Sequence, residues 1–181
     1  GLVHTGDIVI DAKSGTSGAG RKAAVGTLYC EVADSFRAYN LTKHRHTPEI
    51  EQEVSLLAGV DIALSFNTHL LPISRGILST IYTRLTKPMT LAEVHALYAA
   101  RYKDQPLVRV LPAGTLPETR WVRGTMFCDI GLAVDERLGR LIILSAIDNV
   151  CRGASGQAVA NANLMLGLDE LAGLPTAPRM P

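Results

Sequence analysis

The order of strand-like and helix-like segments constrains the fold of this chain most. Short runs of apolar and β-branched residues, typical of strands in a buried or half-buried sheet, recur along the chain with few helices between them. These runs are 7–12, 60–66, 76–85, 107–110, 126–134 and 141–147. The last two flank the polar stretch 135–140, and together they predict a β-hairpin.

Three helices are predicted between and after these strands. Thr47 is the predicted N-cap of the first helix, with Pro48 at the first helical position, Glu49 in the first turn and Gly59 at the end. The second helix begins at about Thr90 and ends by Pro106. The last begins near Ala154 with small residues.

These segments predict an α+β fold. Hairpins are expected to dominate the connections, which favours a mixed, largely antiparallel sheet with helices on one face over a doubly wound parallel sheet. A chain of 181 residues with 47% apolar content is long enough to bury one core. We predict a single domain over 1–168, whose last helix spans 154–168, followed by a tail over 169–181.

Composition excludes several classes of function. The net charge of +1 gives no electrostatic footprint for nucleic acid or an anionic membrane surface. No apolar run approaches the roughly 18 residues that cross a bilayer. The three cysteines form no C-x-x-C pair, so neither a disulfide framework nor a structural zinc site is expected. We therefore expect a cytoplasmic protein without a metal, a nucleic-acid partner or a membrane.

The segment 14–20 leaves the first predicted strand with three glycines and two serines. Such a loop can turn backbone N–H groups and hydroxyls toward an anion. It differs from a P-loop because Arg21 and Lys22 follow it in place of Lys-Ser or Lys-Thr. The alternative interpretation is a flexible turn.

The densest polar cluster is His44-Arg45-His46-Thr47-Pro48-Glu49. The positive end of the following helix dipole favours a neutral imidazole, which is the form that a general base needs. The His-x-His spacing also suits a metal, but no third ligand converges on it, so a metal site is the weaker interpretation. A solvated capping loop is the alternative.

Two further segments suit anion or cofactor binding. Arg75, at a bend between Pro72 and Gly76, suits a clamp for carboxylate or phosphate, or a surface ion pair. The segment 153–158 opens the last helix with small residues that allow close backbone approach to a phosphate or amide. No activating signature accompanies the three cysteines, and buried, inert thiols are expected at Cys30, Cys128 and Cys151.

Four segments, in the same order, resemble N-acetyl-gamma-glutamyl-phosphate reductase. They are DAKSGTSGAGR at 11–21, HRHTPEI at 44–50, HLLPISRGI at 69–77, and Asp148-Asn149 continuing into GASGQA at 153–158. Any one of these matches is weak, but four in family order across nearly the whole chain are specific.

The resemblance implies an NADP-dependent reductase that converts N-acetyl-glutamyl 5-phosphate to the 5-semialdehyde plus phosphate in arginine biosynthesis. A thiolate displaces phosphate to give a thioester, which hydride from the nicotinamide then reduces. It also implies a fold like the glyceraldehyde-3-phosphate dehydrogenase C-terminal domain, and a homodimer or homotetramer.

The family carries its nucleophile in a Gly-Cys-Tyr-Pro segment after an N-terminal Rossmann domain, and this sequence contains neither. The chain begins at Gly1 without an initiator methionine, which we interpret as a fragment that starts just after the nucleophile. It is expected to be inactive alone, with its last helix packing toward the absent NADP-binding domain.

The resemblance also assigns roles to residues of this sequence. His46 is the expected base, His44 is the second choice, and Glu49 orients a histidine or meets the substrate amide. Substrate contacts are expected from Ser14, Ser17, Arg45 and Arg75. Cofactor contacts are expected from Ser14, Gly15, Asn149, Gly153 and Gln157.

Two alternatives remain. A non-catalytic dimerisation module also explains the long apolar strands and the missing nucleophile, and makes the histidines capping residues. Whether the histidine pair and the glycine-rich loop meet in one cleft or lie on opposite faces distinguishes the two. An aspartate-semialdehyde dehydrogenase keeps the mechanism with another substrate, but His-Arg-His-Thr-Pro-Glu belongs to the acetylglutamyl pattern.

Overall fold

A computed structural model describes residues 1–178, which form one seven-stranded mixed sheet with five helices. The strands are β1 (Val9–Gly15), β2 (Arg37–Tyr39), β3 (Ser65–Leu71), β4 (Ile77–Arg84), β5 (Val108–Val110), β6 (Cys128–Asp135) and β7 (Arg140–Ile147). The helices are α1 (Tyr29–Val32), α2 (Thr47–Ala58), α3 (Leu91–Tyr102), α4 (Thr119–Val122) and α5 (Gly156–Met165). None of the helices in this described part is long and apolar enough to cross a membrane.

The strand order β2-β3-β1-β4-β7-β6-β5 confirms the predicted fold class. Four of the six neighbouring pairs are antiparallel, and β1–β3 and β5–β6 are parallel. The expectation that hairpins dominate was wrong: within residues 1–178 only β6 and β7 are consecutive strands joined by a short turn and paired with each other. Strand β1 lies between β3 and β4. This order was not predicted, because local alternation identifies a strand but not its neighbours in the sheet.

Several predicted boundaries shift. Ser14 and Gly15 belong to β1 instead of the predicted loop, of which Thr16–Ala19 forms a 3₁₀ turn. The strand predicted at 60–66 begins only at Ser65. The preceding backbone is tied to α2 instead, because the N–H of Ile62 donates to Ser55 Oγ at 2.9 Å and that of Leu64 to Glu51 Oε1 at 3.0 Å. Strand β2 and the short helices α1 and α4 were not predicted.

The two long helices confirm some of their predicted end signals. Gly59 ends α2 in the left-handed conformation, at φ 70°. Thr90 caps α3 in a capping box with Glu93. The predicted N-cap of α2 was wrong by one residue: His46 is the N-cap, without a side-chain hydrogen bond, and Thr47 is the first helical residue.

The core lies on one side of the sheet, here called the helix face. Val94 of α3 packs there against a cluster of buried side chains, which are Leu85, Ile130, Leu132 and Leu141. A second cluster, Leu107, Met126, Cys151 and Ala160, anchors α5 at the end of the sheet. The opposite side, here called the open face, carries half-buried apolar residues outside both clusters, which are Val9, Leu78, Tyr82, Ile142 and Leu144.

Candidate active site

Four segments meet at one end of the sheet, where β1 and β7 end and β4 begins. Ser14 pairs with Ile77, and Ile77 pairs with Ile147, so the ends of β1 and β7 and the start of β4 lie at the same level. We call the residues gathered there the end-of-sheet cluster; they are Ser14, Gly15, Ser17, Arg75, Gly76, Gly124, Asp148, Asn149 and Gly153. The predicted substrate and cofactor residues 14, 15, 17, 75, 149 and 153 are thus brought together by the fold.

Gly15 lets the end of β1 lie directly against the β3–β4 connection. Its N–H donates to the carbonyl of Gly76 at 2.8 Å, and the N–H of Thr16 donates to that of Ile73 at 2.9 Å. A Cβ on Gly15 would lie 2.9 Å from the Ile73 oxygen and 3.0 Å from the Arg75 nitrogen. Only a residue without a side chain fits this approach.

Asp148 is a buried carboxylate at the centre of the cluster. Arg75 donates to its Oδ1 from Nε at 3.2 Å and from Nη2 at 2.8 Å. The backbone N–H groups of Val150 and Cys151 also donate to Oδ1, and that of Gly124 donates to Oδ2 at 2.7 Å. Burial raises the pKa of Asp148, but the N–H donors and Arg75 lower that pKa more, so it lies below its usual value.

Asp148 has no role predicted from the sequence beyond its place in the motif that begins with Asp148-Asn149. An acidic residue directly after a long apolar strand, followed by Asn, is the signal that was available. A charge at such a position is rarely buried without partners, and the partner here is 73 positions away in the sequence.

Asn149 joins the glycine-rich turn to the β3–β4 connection. Its Oδ1 accepts from the N–H of Gly76 at 2.6 Å, and its Nδ2 donates to Ser17 Oγ at 2.9 Å. Ser14 donates its hydroxyl to the carbonyl of Gly15 at 3.1 Å. Gly153 is exposed, and its N–H donates to the Asp148 carbonyl.

Gln157 lies on α5, outside this network. Its Nε2 donates to Asn161 Oδ1 at 3.1 Å, one turn along the same helix. Arg45 and Glu49 are both exposed, on the loop before α2 and in its first turn.

The two histidines lie on the same side of the sheet as the Ser14 side chain. His44 stacks edge-on against Phe66, with ring centroids 5.1 Å apart, and lies 5.0 Å from the ring of His46. Phe66 pairs with Ile10, and residues 10 and 14 share the helix face because side chains alternate along a strand.

The histidine pair does not touch the end-of-sheet cluster. Ile10 precedes Ser14 by four residues, which places the two levels about 13 Å apart along the strand. No hydrogen bond, ion pair or ring contact links the two groups among residues 1–178. Ser14 of the cluster and the histidines therefore share a face, but residues 1–178 alone do not close the two groups into one cleft.

The tautomer of His44 follows from its backbone contact. The N–H of His46 donates to His44 Nδ1 at 3.2 Å, so neutral His44 carries its proton on Nε2. Burial, then the charges of His46 and Arg45, lower the pKa of His44 below its usual value. His44 is therefore held as a neutral donor.

The cysteines only partly match the expectation of buried thiols. Cys151 is buried in the second core cluster, and Cys128 is half-buried with its pKa raised by burial. Cys30 is exposed on α1, so the expectation was wrong there. Among residues 1–178, no group of three or more His, Cys, Asp or Glu side chains could hold a metal ion.

A cavity of about 490 Å³ opens at the opposite end of the sheet, beside the β6–β7 turn and the start of α3. Arg84, Met89, Thr90 and Leu138 are among the residues that line it. No predicted site residue lines this cavity, so it does not coincide with the candidate site.

Comparison with known families gives a match over most of the chain. Residues 1–149 match the family described as "Semialdehyde dehydrogenase, dimerisation domain". The solved structure of aspartate semialdehyde dehydrogenase II from Vibrio cholerae superposes with a TM-score of 0.70, covering 91% of this chain and 56% of that one. At 15% sequence identity, this similarity supports a shared fold and nothing more.

Curated relatives are much closer in sequence. The N-acetyl-gamma-glutamyl-phosphate reductase of Desulfotalea psychrophila is 56% identical over 100% of this chain and 53% of the relative. That of Geobacter metallireducens is 58% identical over 99% of this chain and 52% of the relative. The chain thus spans about half the length of the curated relatives that it matches.

Proposed function

Because the chain belongs to the family of semialdehyde dehydrogenase dimerisation domains, we propose that it is the second half of an NADP-dependent N-acetyl-gamma-glutamyl-phosphate reductase. The observation that carries this proposal is the 56–58% identity, over the whole chain, to relatives of that name. The reaction is the reduction of N-acetyl-glutamyl 5-phosphate to the 5-semialdehyde with release of phosphate, in cytoplasmic arginine biosynthesis. The 15% identity to aspartate semialdehyde dehydrogenase gives that substrate no comparable support.

The nucleophilic thiol belongs to the other half of the enzyme in this proposal. Gly-Cys-Tyr-Pro does not occur in this sequence, and burial raises the pKa of Cys128, which opposes thiolate formation. The chain alone is therefore inactive.

His46 is the proposed base for that thiol. The neutral His44 already uses the lone pair of Nδ1 to accept from the His46 N–H and has its proton on Nε2, so it has no nitrogen free to take a proton. His46 is exposed, and neither of its ring nitrogens has a hydrogen bond among the described residues. His44 then supports His46, with Glu49 nearby in the first turn of α2.

NADP, when bound, supplies the hydride. The residues present fit a nicotinamide amide. Asn149 Nδ2 uses one of its two hydrogens to donate to Ser17, so the second hydrogen can donate to the nicotinamide carbonyl. The exposed Gly153 has no side chain that would block a flat ring. Ser14, Gly15 and Gln157 complete the proposed cofactor contacts, Gly15 by allowing the close approach of the β3–β4 connection.

The substrate anions are assigned to Arg75, Arg45, Ser14 and Ser17. Arg75 is the cation within the end-of-sheet cluster, and its side chain is one-third exposed beside a fully buried carboxylate. A guanidinium in such a position can bind a carboxylate or a phosphate with paired hydrogen bonds.

The open face is the proposed contact between two copies of the chain. Its apolar side chains on β1, β4 and β7 belong to neither core cluster, whereas α3 covers the helix face. A flat sheet face of this kind buries its apolar residues when a second sheet packs on it. We propose a homodimer on this face, with a tetramer as the larger alternative.

Helix α5 is the proposed contact with the NADP-binding domain. It is anchored through Ala160, while Val159, Leu164 and Met165 leave 43%, 58% and 86% of their surface exposed. Apolar side chains that stay exposed along one helix indicate a covering partner.

The test is phosphate-dependent reduction of NADP with N-acetylglutamate semialdehyde. The chain is assayed alone, and as a chimera in which it replaces the matching half of the Geobacter metallireducens relative. We expect activity in the chimera, loss of that activity in His46→Ala, and no activity in the chain alone. Activity of the chain alone would contradict the assignment of the nucleophile to the other half.

A non-catalytic dimerisation module is the second candidate, favoured by the open face and by the absence of Gly-Cys-Tyr-Pro. A chimera that folds and dimerises but has no activity would support this candidate over the reductase.

A further inference from the structure

We propose that Asp148 is a positioning residue, which fixes the Arg75 guanidinium so that its outer edge stays free to bind the α-carboxylate of the substrate. This inference rests on the proposed function for the identity of the substrate. It assigns a role to a buried residue that contacts no ligand itself.

The hydrogen bonds define which edge of the guanidinium is free. Nε and Nη2 of Arg75 both donate to Asp148 Oδ1, which uses two of the five N–H groups. The remaining N–H groups lie on Nη1 and on the far side of Nη2, and together they form a second edge of the same plane. That edge matches the two oxygens of a carboxylate.

Burial separates the two edges. The Asp148 side chain is 0% exposed and the Arg75 side chain is 32% exposed. The inner edge is therefore held in the protein interior, while the arginine reaches the surface of the end-of-sheet cluster.

Asp148 is itself held from two directions. Gly124, after α4, donates to Oδ2, whereas Val150 and Cys151, in the turn that leads into α5, donate to Oδ1. The backbone beside Arg75 is fixed as well, because the Gly76 N–H donates to Asn149 Oδ1. Little conformational entropy remains to be lost when a ligand binds such a fixed edge.

The charges also leave Arg75 able to bind an anion. Three backbone N–H groups already offset the negative charge of Asp148, so the carboxylate does not depend on Arg75 alone. The positive charge of Arg75 can therefore act on a second carboxylate.

The test measures binding to the chain itself, which contains both residues and needs no turnover. The two probes are N-acetyl-L-glutamine, which keeps the α-carboxylate, and N-acetyl-L-isoglutamine, which has an α-carboxamide and a γ-carboxylate. Dissociation constants are measured by NMR titration for the wild type, Asp148→Asn and Arg75→Lys.

We expect Asp148→Asn to weaken N-acetyl-L-glutamine binding about tenfold to hundredfold, the effect of losing a charge-assisted hydrogen-bond pair. N-acetyl-L-isoglutamine binding should not change. Arg75→Lys keeps a cation beside Asp148 but has no planar edge, so it should show the same selective loss. This variant keeps the test decisive if Asp148→Asn does not fold.

Asp129→Asn is the matched control. Asp129 is also buried, and Arg109 donates to it at 2.6 and 2.8 Å. Asp129 pairs with Ala146 near the same end of the sheet, but among residues 1–178 its ion pair with Arg109 makes no hydrogen bond to the end-of-sheet cluster. It should lower stability without changing either dissociation constant. Equal losses for both probes, or no binding of N-acetyl-L-glutamine to the wild type, would overturn the inference, whereas an inactive chimera would count only against the proposed function.

Discussion

Single residues set the geometry of the end-of-sheet cluster. Gly15 brings two backbone segments within hydrogen-bond distance, and Asn149 uses both ends of its carboxamide to hold Gly76 and Ser17. Gly15 has no room for a larger residue, because its neighbours there are backbone atoms that have no rotamers to adjust.

Gly15→Ala is expected to destabilise the fold by about 1–3 kcal/mol, because its Cβ would overlap the backbone at Ile73 and Arg75. The free energy of unfolding is measured with urea. Gly6→Ala is the control, since nothing lies within 4 Å of a Cβ there. A Gly15→Ala variant as stable as the wild type would contradict the close approach.

The His44 ring is expected to titrate below pH 6.5, because burial and the neighbouring charges disfavour its cation. The neutral form then favours the fold above pH 6.5, and this contribution is lost as the pH falls through the folded-state pKa. The midpoint is measured by NMR titration of the histidine ring protons. In His46→Ala it should rise, since one of the charges that lower it is removed; an unchanged midpoint would contradict the coupling.

At the scale of elements, the two long helices differ in the capping of their first turns. The sequence suggests Thr47 as the N-cap of α2, yet among residues 1–178 no side chain caps this helix, and the Thr47 hydroxyl is buried without a hydrogen bond. Helix α3 has a complete capping box between Thr90 and Glu93. The backbone N–H groups in the first turn of α3 therefore have a side-chain acceptor that those of α2 lack among residues 1–178.

Thr90→Ala is expected to destabilise the protein by about 1 kcal/mol, because the N–H of Glu93 loses its acceptor. Thermal and urea unfolding measure the change. Thr90→Ser keeps the hydroxyl and should stay close to the wild type. If the two variants lose the same stability, the cap does not contribute.

At the scale of the whole molecule, the two sides of the sheet are covered unequally. Helix α3 packs on the helix face, whereas on the open face the segment 115–117 lies against Gly131 of β6, and the apolar residues of β1, β4 and β7 stay half-buried. The relatives are about twice as long as this chain. In the proposed function, the open face contacts a second copy of the chain, and the exposed side of α5 contacts the other half of the enzyme.

Leu144→Glu is expected to convert the proposed dimer to a monomer, because it puts a charge among the apolar residues of the open face. Sedimentation velocity measures the oligomeric state. Leu138→Glu, at the β6–β7 turn where the side chain is 62% exposed, should leave the dimer intact. A dimer that survives Leu144→Glu would exclude the open face as the contact.

Local signals in the sequence place several elements of the fold. Runs of β-branched residues, the glycine after α2 and the cap of α3 act over a few neighbouring residues, so their places follow from the chain alone. The four ordered motifs likewise carry the resemblance to the reductase family.

The strand order and the composition of the site arise only in the tertiary structure. Arg75 and Asp148 are 73 positions apart, and Ser17 and Asn149 are 132 apart. Contacts over such separations depend on which strands become neighbours, and local propensity does not encode this. The burial and the partners of Asp148 could not be predicted for the same reason: they exist only once β1 and β7 end at the level where β4 begins.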